Sequence, residues 1–165
     1  MVNKLKIGLS VALFLNFFGF GYGAHFEPAW EPLTTNPNNP MTFTVTSAVL
    51  STGAGDVALE ANDEIAVFDG NTCVGVSTIT GTISSPNNML EIKASAQDGA
   101  WATTAGFTIG NSVTYRYWDS SAQVEIISAN ITATYQQGEG TFAELGSAYM
   151  SLAGATCESL GQVTC

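Results

Sequence analysis

The chain holds a single histidine in 165 residues. That residue is His25, in a proline-rich lead-in. A Ser-His-Asp or Cys-His catalytic system has nothing to work with elsewhere in the sequence. No zinc-ligand spacing and no phosphate-cradling glycine loop is present. Basic residues are almost as scarce, four against 14 acids. No internal repeat occurs, and no later stretch carries Leu, Glu, Lys and Ala at helical spacing. After the N-terminus no segment is apolar enough to cross a membrane.

What the N-terminus does hold is the layout of a secretory signal: "MVNKLKIGLSVALFLNFFGFGYGAHF". Lys4 and Lys6 precede an apolar run from Ile7 to Phe20, and small residues follow at Gly21, Gly23 and Ala24. The run is too short to span a bilayer, so the expectation is a signal peptide over 1–24, cut after Gly23 or Ala24. An uncleaved anchor is the alternative. Removal leaves Lys93 and Arg116 against 14 acids, a mature net charge of −12. Such a chain repels phosphate backbones, so nucleic acid is not an expected partner. The mature chain is also not expected to insert into a membrane.

The rest reads as one all-β unit. Residues 25–40 carry Pro28, Pro32, Pro37 and Pro40 and form an extended lead-in. "MTFTVTSAVL" then alternates, with Met41, Phe43 and Val45 on one face and Thr42, Thr44 and Thr46 on the wetter one. "STGAGD" reads as a turn. Further strands are "EIAVF", "TCVGVSTIT", "MLEIKASA", "SVTYRYWD", "QVEIISA", "ITATY" and "SAYMSLAG". "QDGAWATTAGFTIGN" is a long Gly-rich loop. About eight short strands with regular turn signals predict an antiparallel β-sandwich over 41–153, immunoglobulin-like or jelly-roll-like. Residues 154–165 form a short Cys-containing tail. Its end on Cys165 suggests truncation of a longer chain, with a natural terminus as the alternative.

Most of the candidate chemistry lies in "NDEIAVFDGNTCVG". Asp69-Gly70 between two β runs predicts a type I′ hairpin, with Asp69 and Asn71 capping turn amides around Gly70. Ile65 and Val67 share one face, Ala66 and Phe68 the other. Both faces are apolar, which places this strand mid-sheet. A structural calcium ion could draw on Asp56, Glu60, Asn62 and Asp63, solvated loop acids being the alternative. A carboxylate pair of glycosidase type is the remaining catalytic option, but Asp63 and Glu64 are adjacent and point apart. No other cofactor is expected. Cys157 and Cys165 are spaced to close a small disulfide loop with Cys73 left free, or Cys73 pairs with one of them, or none pairs. Of the aromatic residues, Trp101 beside Asp98 in the Gly-rich loop is the candidate for stacking on a ligand. Most of the others are expected to pack.

The motifs Asn39-Pro40-Met41, Asp63-Glu64-Ile65, Val67-Phe68-Asp69-Gly70, Cys73-Val74-Gly75, Gly106-Phe107, Gly110 and Trp118-Asp119, with Trp30 in the lead-in, resemble an accessory module of secreted multidomain bacterial proteins. Those proteins often carry a C-terminal sorting domain for type IX secretion. The resemblance covers about residues 26–152 and departs at Asn62, where the module has Gly. It implies a β-sandwich without established catalysis, outside or on the surface of a Gram-negative-type bacterium. No sorting domain is recognisable here. The expected function is non-catalytic binding or surface assembly, with a neutral glycan as ligand. A structural or adhesion module engaging an extracellular protein domain is the alternative, and a glycoside-active enzyme a distant third.

Overall fold

Alternation in the first strand builds the core. In β1 (Met41–Thr52) Met41, Phe43 and Val45 are buried while Thr42, Thr44 and Thr46 are half-exposed, as the sequence pattern requires. The computed structural model describes residues 24–29, 37–98, 105–156 and 160–161. The other strands are β2 (Gly55–Ala58), β3 (Glu64–Asp69), β4 (Thr72–Thr78), β5 (Leu90–Ala94), β6 (Val113–Asp119), β7 (Val124–Ile126), β8 (Ile131–Gln137) and β9 (Ser147–Ala155). The chain is all-β, a sandwich of two sheets.

One sheet runs β2-β1-β9-β8, with β5 alongside the first half of β1. The other runs β4-β3-β6-β7. Between them lie Phe43, Val45, Ile65, Val67, Ile92, Tyr117, Met150 and Leu152, all essentially inaccessible. Phe107 and Phe142 stack at 4.6 Å to close one end of this core. Burial of large side chains from both sheets is the main stabilising term.

Three details differ from the sequence expectation. Residues 51–56, read as a turn, lie mostly in paired strand: Ser51 and Thr52 end β1, Gly55 and Asp56 begin β2, and the two strands pair around a turn at residues 53–54. β1 and β9 run parallel, so the first sheet is mixed and not purely antiparallel. A bulge at Thr46 adjusts that pairing, and the Thr46 hydroxyl donates to the Met150 carbonyl at 3.1 Å. Among the described residues a 3-10 turn also occurs, at Ser128–Asn130, where the sequence reads as strand.

β3 does sit mid-sheet, between β4 and β6. Its outer face is covered by the lead-in. Phe26 packs on Ala66 and Phe68, with Cys73, Val76 and Trp118 around them. The Ala29 N–H donates to the Cys73 carbonyl at 2.8 Å. Residues 24–29 are thus a strap laid along the second sheet, which explains why β3 is apolar on both faces.

Candidate functional site

β3 carries an acid at each end and a third just before it, and the structure gives each a different structural partner. Asp69 ends the strand, and the hairpin turn itself is Gly70-Asn71, since Asp69 pairs with Thr72. The turn is therefore one residue later than the Asp-Gly pair suggests. Gly70 has φ +58 and Asn71 has no positive φ, as in a II′ turn, where only the first central residue must be left-handed. The Asp69 carboxylate does not cap this turn. It accepts from the Thr108 N–H at 2.8 Å and from Asn111 Nδ2 at 2.9 Å, pinning the loop that follows β5.

Asp63 precedes β3 at the opposite end of the sandwich. It is buried, and its two oxygens accept from the Glu60 N–H at 2.8 Å and from the N–H and hydroxyl of Ser120 at 2.9 and 3.0 Å. Glu64 is also buried and faces the strap, where it accepts from the N–H groups of His25 and Phe26. The two carboxylates point apart and hold different segments.

The calcium candidates stand as follows. Asp56 lies on β2 and accepts from the Ser51 hydroxyl. Glu60 is exposed, and Asn62 has a left-handed φ of +79. Glu60 and Asp63 line a cleft of about 140 Å³ with Asp119 and Leu50. Among the described residues no three His, Cys, Asp or Glu side chains converge as metal ligands would.

Asp98 is half-buried at the Asp69 end of the molecule. Its proposed companion Trp101 lies outside the described residues, as do Cys157 and Cys165. Next to Asp98 is an open cleft of about 290 Å³ lined by Gln97, Phe107, Thr108, Ile109 and Glu144. Ile109 is 61% exposed and the neighbouring Leu145 75%. The structure therefore gathers the hairpin turn, the loop after β5 and the loop before β9 at one end. That grouping is absent from the sequence order.

The remaining aromatics pack. Tyr115 and Tyr117 face the core, where burial pushes both phenols above their ordinary range. The Tyr115 and Tyr135 hydroxyls share a hydrogen bond of 3.0 Å. Trp118 faces out beneath the strap, with the His25 ring stacked on it at 3.8 Å. Cys73 is a free, half-buried thiol under the strap. Burial raises its pKa to about 11, against smaller lowering effects from the Gly75 carbonyl contact and Arg116.

Residue-by-residue reading missed the bare face of the first sheet. Cross-strand register places Thr42 beside Ser147, Thr44 beside Tyr149, and Ser151 between Ser47 and Thr134. Neighbouring strands lie about 4.8 Å apart, so these form a flat field of hydroxyls around Tyr149. The one ion pair there, Lys93–Glu91 at 3.2 Å, lies at the β5 margin. The Thr alternation in β1 was the visible signal; the register that joins it to β8 and β9 was not. No family model matches the chain, and neither does any curated protein or solved structure.

Proposed function

We propose that this chain is a secreted, non-catalytic β-sandwich module that binds a neutral glycan. The observation that carries the reading is the bare hydroxyl face of the first sheet. In a chain of 14 acids that face presents Thr and Ser hydroxyls and the exposed Tyr149, with Glu91 paired to Lys93. Neutral sugars are recognised by such hydroxyl arrays together with an aromatic surface. The acids of the "NDEIAVFDGN" stretch support a non-catalytic role, because Asp63, Glu64 and Asp69 each accept N–H donors that fix the fold. The signal-like N-terminus and the likeness of residues 26–152 to secreted accessory modules support export. Among the described residues no helix is long and apolar enough to cross a membrane.

The test is a glycan array together with pelleting on insoluble neutral polysaccharides. Binding that is lost in Tyr149→Ala supports the sheet face. Binding lost only in Trp101→Ala assigns the ligand to the loop end beside Asp98. A blank array and no pelleting favour the second reading, a protein-assembly module. That reading is supported by the exposed Ile109 and Leu145 beside the loop-end cleft.

A further inference from the structure

The strap over the second sheet ends on a buried acid. Glu64 is 4% exposed, and its Oε1 accepts from the His25 nitrogen at 2.9 Å while Oε2 accepts from the Phe26 N–H at 3.0 Å. Among the described residues no Lys or Arg forms an ion pair with it; Arg116 is engaged by Glu125 at 3.0 Å. A buried carboxylate whose hydrogen-bond donors are all neutral is held less strongly than one hydrogen-bonded by a cation. The missing charge sits one bond from existing. Hydrolysis of the Ala24–His25 peptide bond turns the His25 nitrogen into an ammonium group at the position it already occupies.

We infer that Glu64 is the receptor for the α-ammonium group of the processed chain, and that the cut falls between Ala24 and His25. This rests on reading residues 1–24 as a secretion signal. In the step, water adds across the amide bond under a signal peptidase. Ala24 leaves with the new carboxylate, and the His25 nitrogen takes up protons to become the ammonium. Small residues stand at the cut in both cases, with Gly21 three back from a cut after Gly23 and Tyr22 three back from a cut after Ala24; the geometry of the His25 nitrogen on Glu64 selects the second. A cut after Gly23 would leave a neutral amide on Glu64 and put the charge on Ala24, which is exposed. The His25 side chain secures the same position. Its ring stacks on Trp118 with an interplanar angle of 1°, and Nε2 lies 3.2 Å from Glu125 Oε2. Processing and completion of the fold are then coupled. Before the cut the strap is tied to the buried Glu64 by neutral hydrogen bonds, and after it by a part-buried ion pair between Glu64 and the His25 ammonium.

Intact-mass measurement of the exported protein should show a chain starting at His25. A start at Ala24 overturns this inference and leaves export standing, whereas an intact Met1 in exported protein sinks both. The charge itself is tested on chains that start at His25, with the amine either free or acetylated. Acetylation keeps an N–H donor and removes the charge, so the acetylated chain should melt several degrees lower. The free amine should react with an acylating reagent at least about tenfold more slowly in the native protein than in Glu64→Gln, because reaction must wait for the strap to open. If Glu64→Gln does not fold, the free and acetylated chains still make the comparison. Equal melting of the two shows that Glu64 only accepts neutral amides, and the inference is then wrong.

Discussion

Asp69 shows how one side chain can matter more to a neighbouring loop than to its own turn. Sequence chemistry places it as a local cap, but its oxygens hold Thr108 and Asn111 from a loop 39 and 42 residues on. Asp69→Ala should therefore lower stability by about 1–2 kcal/mol, the range for lost hydrogen bonds to a partly exposed carboxylate. Amide exchange should rise at Thr108 and leave the Gly70-Asn71 turn little changed. Exchange that rises at the turn alone would restore the local-cap view. Cys73 gives a second test at this scale. Its thiol, pushed up to about 11 from 9.0 chiefly by burial, is protonated at pH 8. Peptide mapping should find it alkylated slowly in the native protein and rapidly in denaturant. The folded pKa lies above the unfolded one, so its contribution is intact below pH 9. Stability then falls as pH rises from about 9 to 11. Rapid native alkylation at pH 8 would show that the strap does not cover it.

The strap is the element whose role the sequence hid best. Its prolines mark it as extended, but nothing in the sequence says where it lies. It covers β3, a strand apolar on both faces, and Phe26 is the residue that does the covering, meeting Phe68 edge-on at 5.7 Å. Phe26→Ala should cost about 3 kcal/mol, since a buried ring is replaced by a void. The same change should speed Cys73 alkylation, because both residues belong to one cluster. A drop in stability below 1 kcal/mol, read from urea melts, would mean that the strap is only loosely laid on. The first strand was legible because alternation of apolar and hydroxyl side chains over β1 has the period of a pleated strand. β2 was not, since Gly-Asp-Val-Ala has no alternation and pairs only because β1 extends beside it.

At the scale of the molecule, the last strand lies between the first strand and β8. Most of the fold's pairing is therefore long-range, and neither half of the chain holds a complete first sheet. Removing 147–155 should abolish cooperative thermal unfolding by circular dichroism, where deletion of 160–165 should leave it intact. A cooperative melt in the shorter chain would show the second sheet to be self-sufficient.

The sequence by itself determined the all-β class, the strands with strong alternation, the inward set of β1, and the hairpin around Gly70. These follow from local geometry, in which side chains point alternately to opposite faces and a tight turn needs a residue that tolerates positive φ. It also identified the acids of the "NDEIAVFDGN" stretch as the residues to explain. Only the tertiary structure decided what each acid holds, that the calcium candidates and Asp98 lie at opposite ends, and that β1 pairs parallel with β9. It alone set Thr42, Thr44, Ser147, Tyr149 and Ser151 side by side on one face. The reason is physical. A side chain's direction is fixed by its own backbone, but its partner is chosen by strand register and by which segment covers the sheet. Both depend on contacts between residues tens of positions apart, and local pattern carries no record of them.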